Sequence, residues 1–304
     1  MDPWVIQAFH NTSGTMTSTG SRADGLSIAV LITAHNRRET TIRCLASLKA
    51  TKRPDGCELM VVLVDDGSTD GTSEAVKTFM PEANLIEGTG GLYWAGGTRV
   101  AASQAATDCP EATHYLWLND DVVLDPGAVE TLCGLTKENP KAVIVGAVRD
   151  PDDGAISYSG LERRSAHPMR YSRVEPGDRP KPVETFNGNL VLIPVEVERL
   201  VGGLDAAFVH KYADLDYGHR VSEAGVSMLL APGTLGACPS NHGPAGTSGL
   251  PENWEDLVGP KGLPPRLQAR FLRRHGGPLW PLFFPIPYLR FMLGRILKRG
   301  DQTS

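Results

Sequence analysis

Residues 61–72 read VVLVDDGSTDGT, an apolar run that stops abruptly at two adjacent acids. SIAVLITAHNRR at 27–38 and WLNDDVVLDPGA at 117–128 have the same shape. A segment apolar on both faces suits a parallel strand buried between helical layers, and a polar stop at its carboxyl end delivers side chains to a cleft. With the acidic segment YADLDYGHR at 212–220, these strand ends point at one site. Carboxylates repel phosphates, so acids there imply a divalent cation bridging to a diphosphate, with Asp120 and Asp121 as the candidates to hold it.

Periodicity extends the pattern. It predicts strand 28–33, helix 40–49 with Ile42, Leu45 and Leu48 inward, strand 59–64, a helix from Thr69 to Phe79, strand 84–86, helix 97–106 and strand 115–118. This is an α/β chain with parallel strands. The second half reads as helix 127–136, strand 143–148, strand 189–193, helix 195–200, helix 214–224 and strand 226–231. The irregular stretch 150–183 is too long for an ordinary connection; it is a substrate-facing excursion or holds short strands that periodicity cannot show.

Composition, at 304 residues with 41% hydrophobic and 21% charged, fits a soluble enzyme with a sizeable core. Five cysteines without a CxxC pair fit reduced core thiols better than a disulfide or zinc framework. The expected division is a flexible leader at 1–25, a nucleotide-binding half at 26–125, an acceptor-binding and catalytic half at 126–245, and an extension at 246–304. Nothing at the N-terminus reads as an export signal, and no nucleic-acid partner is expected.

Charge separates the tail from the rest. Residues 261–300 hold nine Lys or Arg and no acid, against 21 basic and 35 acidic residues elsewhere. The apolar LWPLFFPIPYLRFMLGRIL at 279–297 is interrupted by prolines and arginines, which argues against a membrane span. Leu289, Met292, Leu293, Ile296 and Leu297 instead share one helical face opposite Arg290, Arg295, Lys298 and Arg299. That face would lie on an anionic membrane surface, or pack on the catalytic domain or a second subunit of a homodimer.

The ordered set TAHNRR, VDDGSTDGT, GGLYWAGG, LNDDVVLDPGA and, after NGNLVLIPVEVERLVGGLDAAF, YADLDYGHRVSEAG resembles the family-two inverting glycosyltransferases of GT-A fold, in particular the bacterial rhamnosyltransferase-like branch that builds cell-surface polysaccharides. The resemblance runs from Leu26 to His242. It implies a Rossmann-like, mostly parallel sheet flanked by helices, here with a C-terminal helical extension. It also implies sugar transfer from a UDP- or dTDP-sugar to a hydroxyl of a glycan or lipid-linked acceptor, assisted by Mn²⁺ or Mg²⁺, at the cytoplasmic face of the membrane.

Site residues follow from the two readings together. Asp65 and Asp66 suit the N–H donors of a pyrimidine ring and ribose hydroxyls, although acids here also cap helices. The resemblance adds the loop after the first strand, with Thr33, Ala34, Asn36 and Arg37, as a nucleoside contact. Five glycines between 88 and 97 let backbone approach a ligand, which marks Gly96, Gly97 and Arg99 for the donor; Thr98-Arg99 departs from the family's Asn after Gly-Gly. Asn119 and Asp120 complete the donor site, and Asp121 with His242 takes the metal. An inverting displacement needs one carboxylate to accept the acceptor's proton, and the resemblance puts that duty on Asp214. Ala213 replaces the family's Glu before it. Trp94, Asn187 and Asp216 are the acceptor-side candidates. Two other classes stay open: a sugar-1-phosphate nucleotidyltransferase, though TAHNRRET lacks the glycine-rich triphosphate loop, and an inactive sugar-nucleotide-binding subunit, kept open by Ala213.

Overall fold

The computed structural model describes residues 25–165, 167–209, 211–240, 253–259 and 262–301, with side chains of the last helix described through Arg295. The leader up to Asp24 and His242 lie outside the described residues. Strand β1 (Ser27–Ala34) pairs in parallel with β2 (Glu58–Asp65) and with β4 (His114–Leu118), and β2 pairs in parallel with β3 (Asn84–Glu87). The sheet continues through β12 (Leu190–Pro194), antiparallel to both β4 and β6 (Val143–Arg149), and then β13 (Met228–Ala237), parallel to β6. Ten described strands belong to this sheet, whose main order starts at the two-residue strand β10 (Lys181–Pro182) and runs β10-β13-β6-β12-β4-β1-β2-β3.

Alternation along β1 shows why both faces are apolar. Ile28, Val30 and Ile32 enter one layer with Cys44, Leu45 and Leu48 of α1 (Arg38–Ala50), Val76 of α2 (Thr72–Phe79), and Val129 and Leu132 of α4 (Ala128–Glu138). Ala29 and Leu31 enter the other layer. There they meet Ala95, Ala101 and Ala105 of α3 (Tyr93–Asp108) and Tyr217 of α6 (Ala213–Glu223). Small residues on α3 let that helix sit close to the sheet: a Cβ on Gly97 would stand 2.3 Å from the Thr33 methyl carbon. The expected reduced cysteines are present as five free thiols, with Cys57 and Cys133 sulfurs 3.6 Å apart.

Stretch 150–183 takes the second of its two expected readings, and two boundaries elsewhere are corrected. The stretch holds four short strands, β7 (Ile156–Tyr158), β8 (Gly160–Arg163), β9 (Tyr171–Arg173) and β10 (Lys181–Pro182). Strands of two to four residues are shorter than a readable period. β8 and β9 form a separate three-stranded sheet with β11 (Thr185–Phe186). The final strand runs on to Ala237 because Pro232-Gly233, which reads as a stop, is absorbed in register shifts, with Gly233 at φ 63°. Helix α3 starts four residues before the expected Gly97, for a reason that belongs to the site.

The tail is less separate than its charge implies. Helix α8 (Pro265–His275) docks on α6 through Asp216, whose side chain is 0% exposed. That carboxylate accepts from Arg220 Nε at 2.8 Å, Arg274 Nη1 at 2.5 Å and His275 Nε2 at 3.0 Å, while Phe271 stacks on Tyr212 with ring centroids 5.0 Å apart. Helices α9 (Trp280–Phe283) and α10 (Ile286–Asp301) follow. Among the described residues no helix is long and apolar enough to cross a membrane.

Removing the buried Asp216 carboxylate would leave Arg220, Arg274 and the buried His275 ring without their shared acceptor. Chemical denaturation of Asp216→Ala is therefore expected to show a loss of about 3–5 kcal/mol. Arg270→Ala, at a pair with Asp205 where the arginine is 48% exposed, should cost no more than about 1 kcal/mol. Equal losses would mean that Asp216 is not the link between α6 and α8.

Candidate active site

The carboxyl ends of β1 and β2 are stapled together before any ligand is considered. Asn36, held at φ 50°, donates its backbone N–H to Ser68 Oγ at 2.8 Å and accepts from the Thr69 N–H at 2.8 Å. His35 Nδ1 donates to the Asp66 carbonyl at 2.6 Å, which leaves Nε2 to accept from the Asn36 amide at 3.2 Å. Arg38 N–H donates to Asp70 Oδ2 at 3.0 Å. Asp70 also accepts from Thr72 N–H, so it is Asp70 that opens α2, at Thr72 and not at Thr69.

Both acids of the second strand end are engaged internally. Asp65, 2% exposed, accepts from the Ser68 N–H and hydroxyl and from the Ser73 hydroxyl. Asp66, 3% exposed, accepts from the amides of Gly90 (2.8 Å), Leu92 (2.9 Å) and Tyr93 (2.9 Å). That carboxylate caps α3 from another strand, which is why the helix begins at Tyr93. Gly96 and Gly97 consequently lie inside a helix, and Gly97 serves the packing of α3 on Thr33. Ala34 is buried at 1% exposure, with its carbonyl accepting from the Asp66 N–H at 2.8 Å. Thr98 bonds back to the Trp94 carbonyl, and Arg99 reaches the Phe208 carbonyl at 3.4 Å.

The end of β4 presents the two acids expected to hold a cation. Asp120 and Asp121 are 6% and 8% exposed. Arg37 Nη1 lies 3.3 Å from Asp120 Oδ1 and 2.8 Å from Asp121 Oδ2. Thr41 Oγ1 donates to Asp120 at 3.4 Å and the Cys238 thiol to Asp121 at 3.3 Å. Burial pushes the Asp120 carboxyl up to about 7, although Arg37 pulls the other way. Asn119 Oδ1 is buried with no hydrogen-bond partner. Two shielded carboxylates, whose charge a single guanidinium offsets only in part, beside an unsatisfied amide oxygen, are a donor set that fits Mg²⁺ or Mn²⁺. Among the described residues there is no group of three or more His, Cys, Asp or Glu for a metal, so the remaining ligands would come from elsewhere.

Asp214 stands in the first turn of α6, two residues after Tyr212 at φ 70°. Its carboxylate accepts from the amides of Gly188 (3.1 Å) and Leu215 (2.9 Å) and from the Asn187 side chain. Burial nevertheless raises its pKa above the ordinary carboxylate value. Gly188 has no room for a side chain: a Cβ there would sit 2.6 Å from the Trp94 ring and 3.3 Å from Asp214 Cβ. Trp94, Asn187 and Asp214 are thus gathered around one turn.

The same turn joins the two halves of the cleft. Asn189 accepts from the Asn119 N–H at 2.9 Å, and its side chain donates to Cys238 Sγ at 3.8 Å, next to Asp121. Asp216, expected at the acceptor, is instead fully buried in the link to α8. Sequence reading missed Ser73, Thr41, Gly188 and Cys238. None carries a motif, and only the adjacency of Gly188 to Asn187 offered a signal.

Residues 29–191, more than half of the chain, match the family model described as glycosyl transferase family 2. Over 216 residues, 62% of this chain and 68% of the relative, the chain is 31% identical to the protein named N-acetylglucosaminyl-diphospho-decaprenol L-rhamnosyltransferase in two Mycobacterium tuberculosis strains, CDC 1551 / Oshkosh and ATCC 25618 / H37Rv. In architecture it is similar to S. aureus TarS 1-349, at a TM-score of 0.53 and 14% identity, covering 70% of this chain and 60% of that one. It is also similar to GalNAc-T7 crystallised with UDP, GalNAc and Mn²⁺, at a TM-score of 0.55 and 16% identity, covering 69% of this chain and 43% of that one. These likenesses establish the GT-A fold. With more than half of its length matched by that family model, the chain belongs to glycosyl transferase family 2.

Proposed function

We propose that this enzyme transfers a deoxyhexose, L-rhamnose foremost, from a UDP- or dTDP-sugar to a hydroxyl of an N-acetylglucosamine carried on a lipid diphosphate, with inversion at the anomeric carbon. The name of the mycobacterial relative supports the sugar and the acceptor. The observation that carries the mechanism is Asp214, held by two backbone amides and a side-chain amide beside Trp94, and connected through Gly188 and Asn189 to the Asp120–Asp121 pair.

In this reading the nucleoside lies over the stapled 34–37 and 65–70 loops, whose engaged acids hold shape and leave hydrogen-bonding to a base or ribose to the groups around them. Asp120 and Asp121 would hold Mn²⁺ or Mg²⁺, which supplies charge neutralisation for the departing diphosphate. Among the described residues Arg37 is the one cation at those acids, at 3.3 and 2.8 Å, and is placed to contribute to the same neutralisation. Asp214 accepts the acceptor hydroxyl's proton as the new glycosidic bond forms. Trp94 offers a wall for the acceptor sugar ring, and Asn187 keeps Asp214 oriented. A lipid-linked acceptor places the reaction at the cytoplasmic membrane face.

The test is incubation with Mn²⁺, a panel of UDP- and dTDP-sugars and a lipid diphosphate bearing N-acetylglucosamine. Nucleoside diphosphate and a glycoside of inverted anomeric configuration are expected. Pyrophosphate release would mark a nucleotidyltransferase, and no turnover with any donor would mark a binding subunit.

Three variants or conditions sharpen this. Asp214→Asn should keep donor affinity by calorimetry while turnover falls by roughly 10²–10⁴-fold, because the amide keeps the shape and cannot take a proton. Undiminished turnover would move the base elsewhere. Asp121→Ala should remove the Mn²⁺-dependent part of nucleotide affinity, measured with and without EDTA; a persisting metal dependence would place the cation elsewhere.

The third is pH. A base must be ionised, and burial raises the pKa of Asp214, so kcat should fall on the acid side at a pH above the value of about 3.9 for a free aspartate. A profile flat down to that value would contradict the assignment.

A further inference from the structure

Helices α9 and α10 carry two apolar stripes where docking to the body accounts for one. Phe284, Tyr288 and Phe291 recur at helical spacing and face inward. Tyr288 and Phe291 are 9% and 4% exposed and pack with Leu257 of α7 (Trp254–Val258), while the Trp254 ring lies 6.0 and 5.9 Å from theirs. Tyr288 Oη donates to the Leu263 carbonyl at 2.8 Å, which fixes the rotation of α10.

The second stripe, Leu282, Ile286, Leu289 and Leu293, repeats the spacing on the outer side. These residues are 67%, 36%, 52% and 58% exposed, with Leu279 at 60% and Met292 at 55% beside them. Six of the ten exposed large apolar side chains among the described residues therefore fall between Leu279 and Leu293. Scattered surface leucines need no cause, but such a concentration on one face does.

Charge decides what covers it. Arg266, Arg273, Arg290 and Arg295 are exposed on the same segment, and residues 261–300 contain no acid. Two arginines of that segment, Arg270 and Arg274, turn inward to Asp205 and Asp216, and Arg295 lies over the Phe291 ring of the inner stripe, so Arg290, beside Leu289, and the basic excess of the segment give the surroundings of the stripe their sign. A second copy docking this face against itself about a two-fold axis would oppose two such basic segments, which is unfavourable. Anionic lipid headgroups complement the arginines and the acyl boundary accepts the leucines.

We propose that the outer face of residues 279–295 lies on an anionic phospholipid surface, with Leu282, Ile286, Leu289, Met292 and Leu293 at the headgroup–acyl boundary. The use of that docking, bringing Asp214 to an acceptor held in the same membrane, rests on the functional reading above; the docking itself does not.

Flotation of the full chain with vesicles of mixed phosphatidylglycerol and phosphatidylcholine tests it. Wild type should float with these vesicles and much less with phosphatidylcholine alone, and raising salt to about 0.5 M should weaken the association as headgroup attraction is screened. Leu289→Glu/Leu293→Glu should lose at least about tenfold in vesicle affinity. It should keep the wild-type thermal transition and wild-type turnover on a water-soluble N-acetylglucosamine diphosphate. Absence of wild-type flotation overturns the proposal, as does unchanged flotation of the double variant. So does light scattering that shows a wild-type dimer, split by the double variant, with no vesicle binding. If flotation behaves as expected and no donor or acceptor is turned over, the transferase reading fails and the membrane face stands.

Discussion

A carboxylate at the end of a buried strand or helix cannot be left without partners, and meeting that demand organises this cleft. Asp66 holds three amides and so sets where α3 begins. Asp65 closes its own loop through Ser68 and Ser73, and Asp70 ties the first loop to the second helix. Asp120 and Asp121 draw Arg37 across from the end of β1. Loops that come from separate strands are thus locked to one another by acids, and the site is shaped by the satisfaction of charge before a ligand adds any.

Asp214 and Asp216 show how the same residue type divides between chemistry and architecture. They are two positions apart on one helix, so they point in different directions. Asp216 meets three cationic or ring donors from α6 and α8 and is fully occupied as the anchor of the tail. Among the described residues the hydrogen bonds given to Asp214 come from amides, which orient it, and burial raises its affinity for a proton. A group held in place and inclined to take a proton is what a general base requires.

The tail divides in the same way. Its first helix is part of the body: Phe271 stacks on Tyr212, and Arg274 and His275 reach Asp216. Its last helix buries Tyr288 and Phe291 and turns the leucine stripe outward. The proposed membrane contact and the packing on the rest of the protein therefore concern different faces of one helix.

Apolar runs ending in polar or acidic residues were enough to specify β1, β2 and β4, their parallel pairing and the end of the sheet where the cleft lies, because burial on both faces dictates composition residue by residue. The short strands between 150 and 183 were not legible, since two to four residues carry no period and their pairing is decided by neighbours distant in the chain. Which acids remain available was equally beyond the sequence. VDDGSTD and ADLD announce carboxylates, but the partners that engage Asp66 are the Gly90, Leu92 and Tyr93 amides, and those that bury Asp216 include Arg274 and His275, some 58 residues away. Local composition determined where acids would gather; only the long-range contacts of the folded chain decided which of them hold the structure and which face the cleft, because a hydrogen bond is set by proximity in space and not by position in the chain.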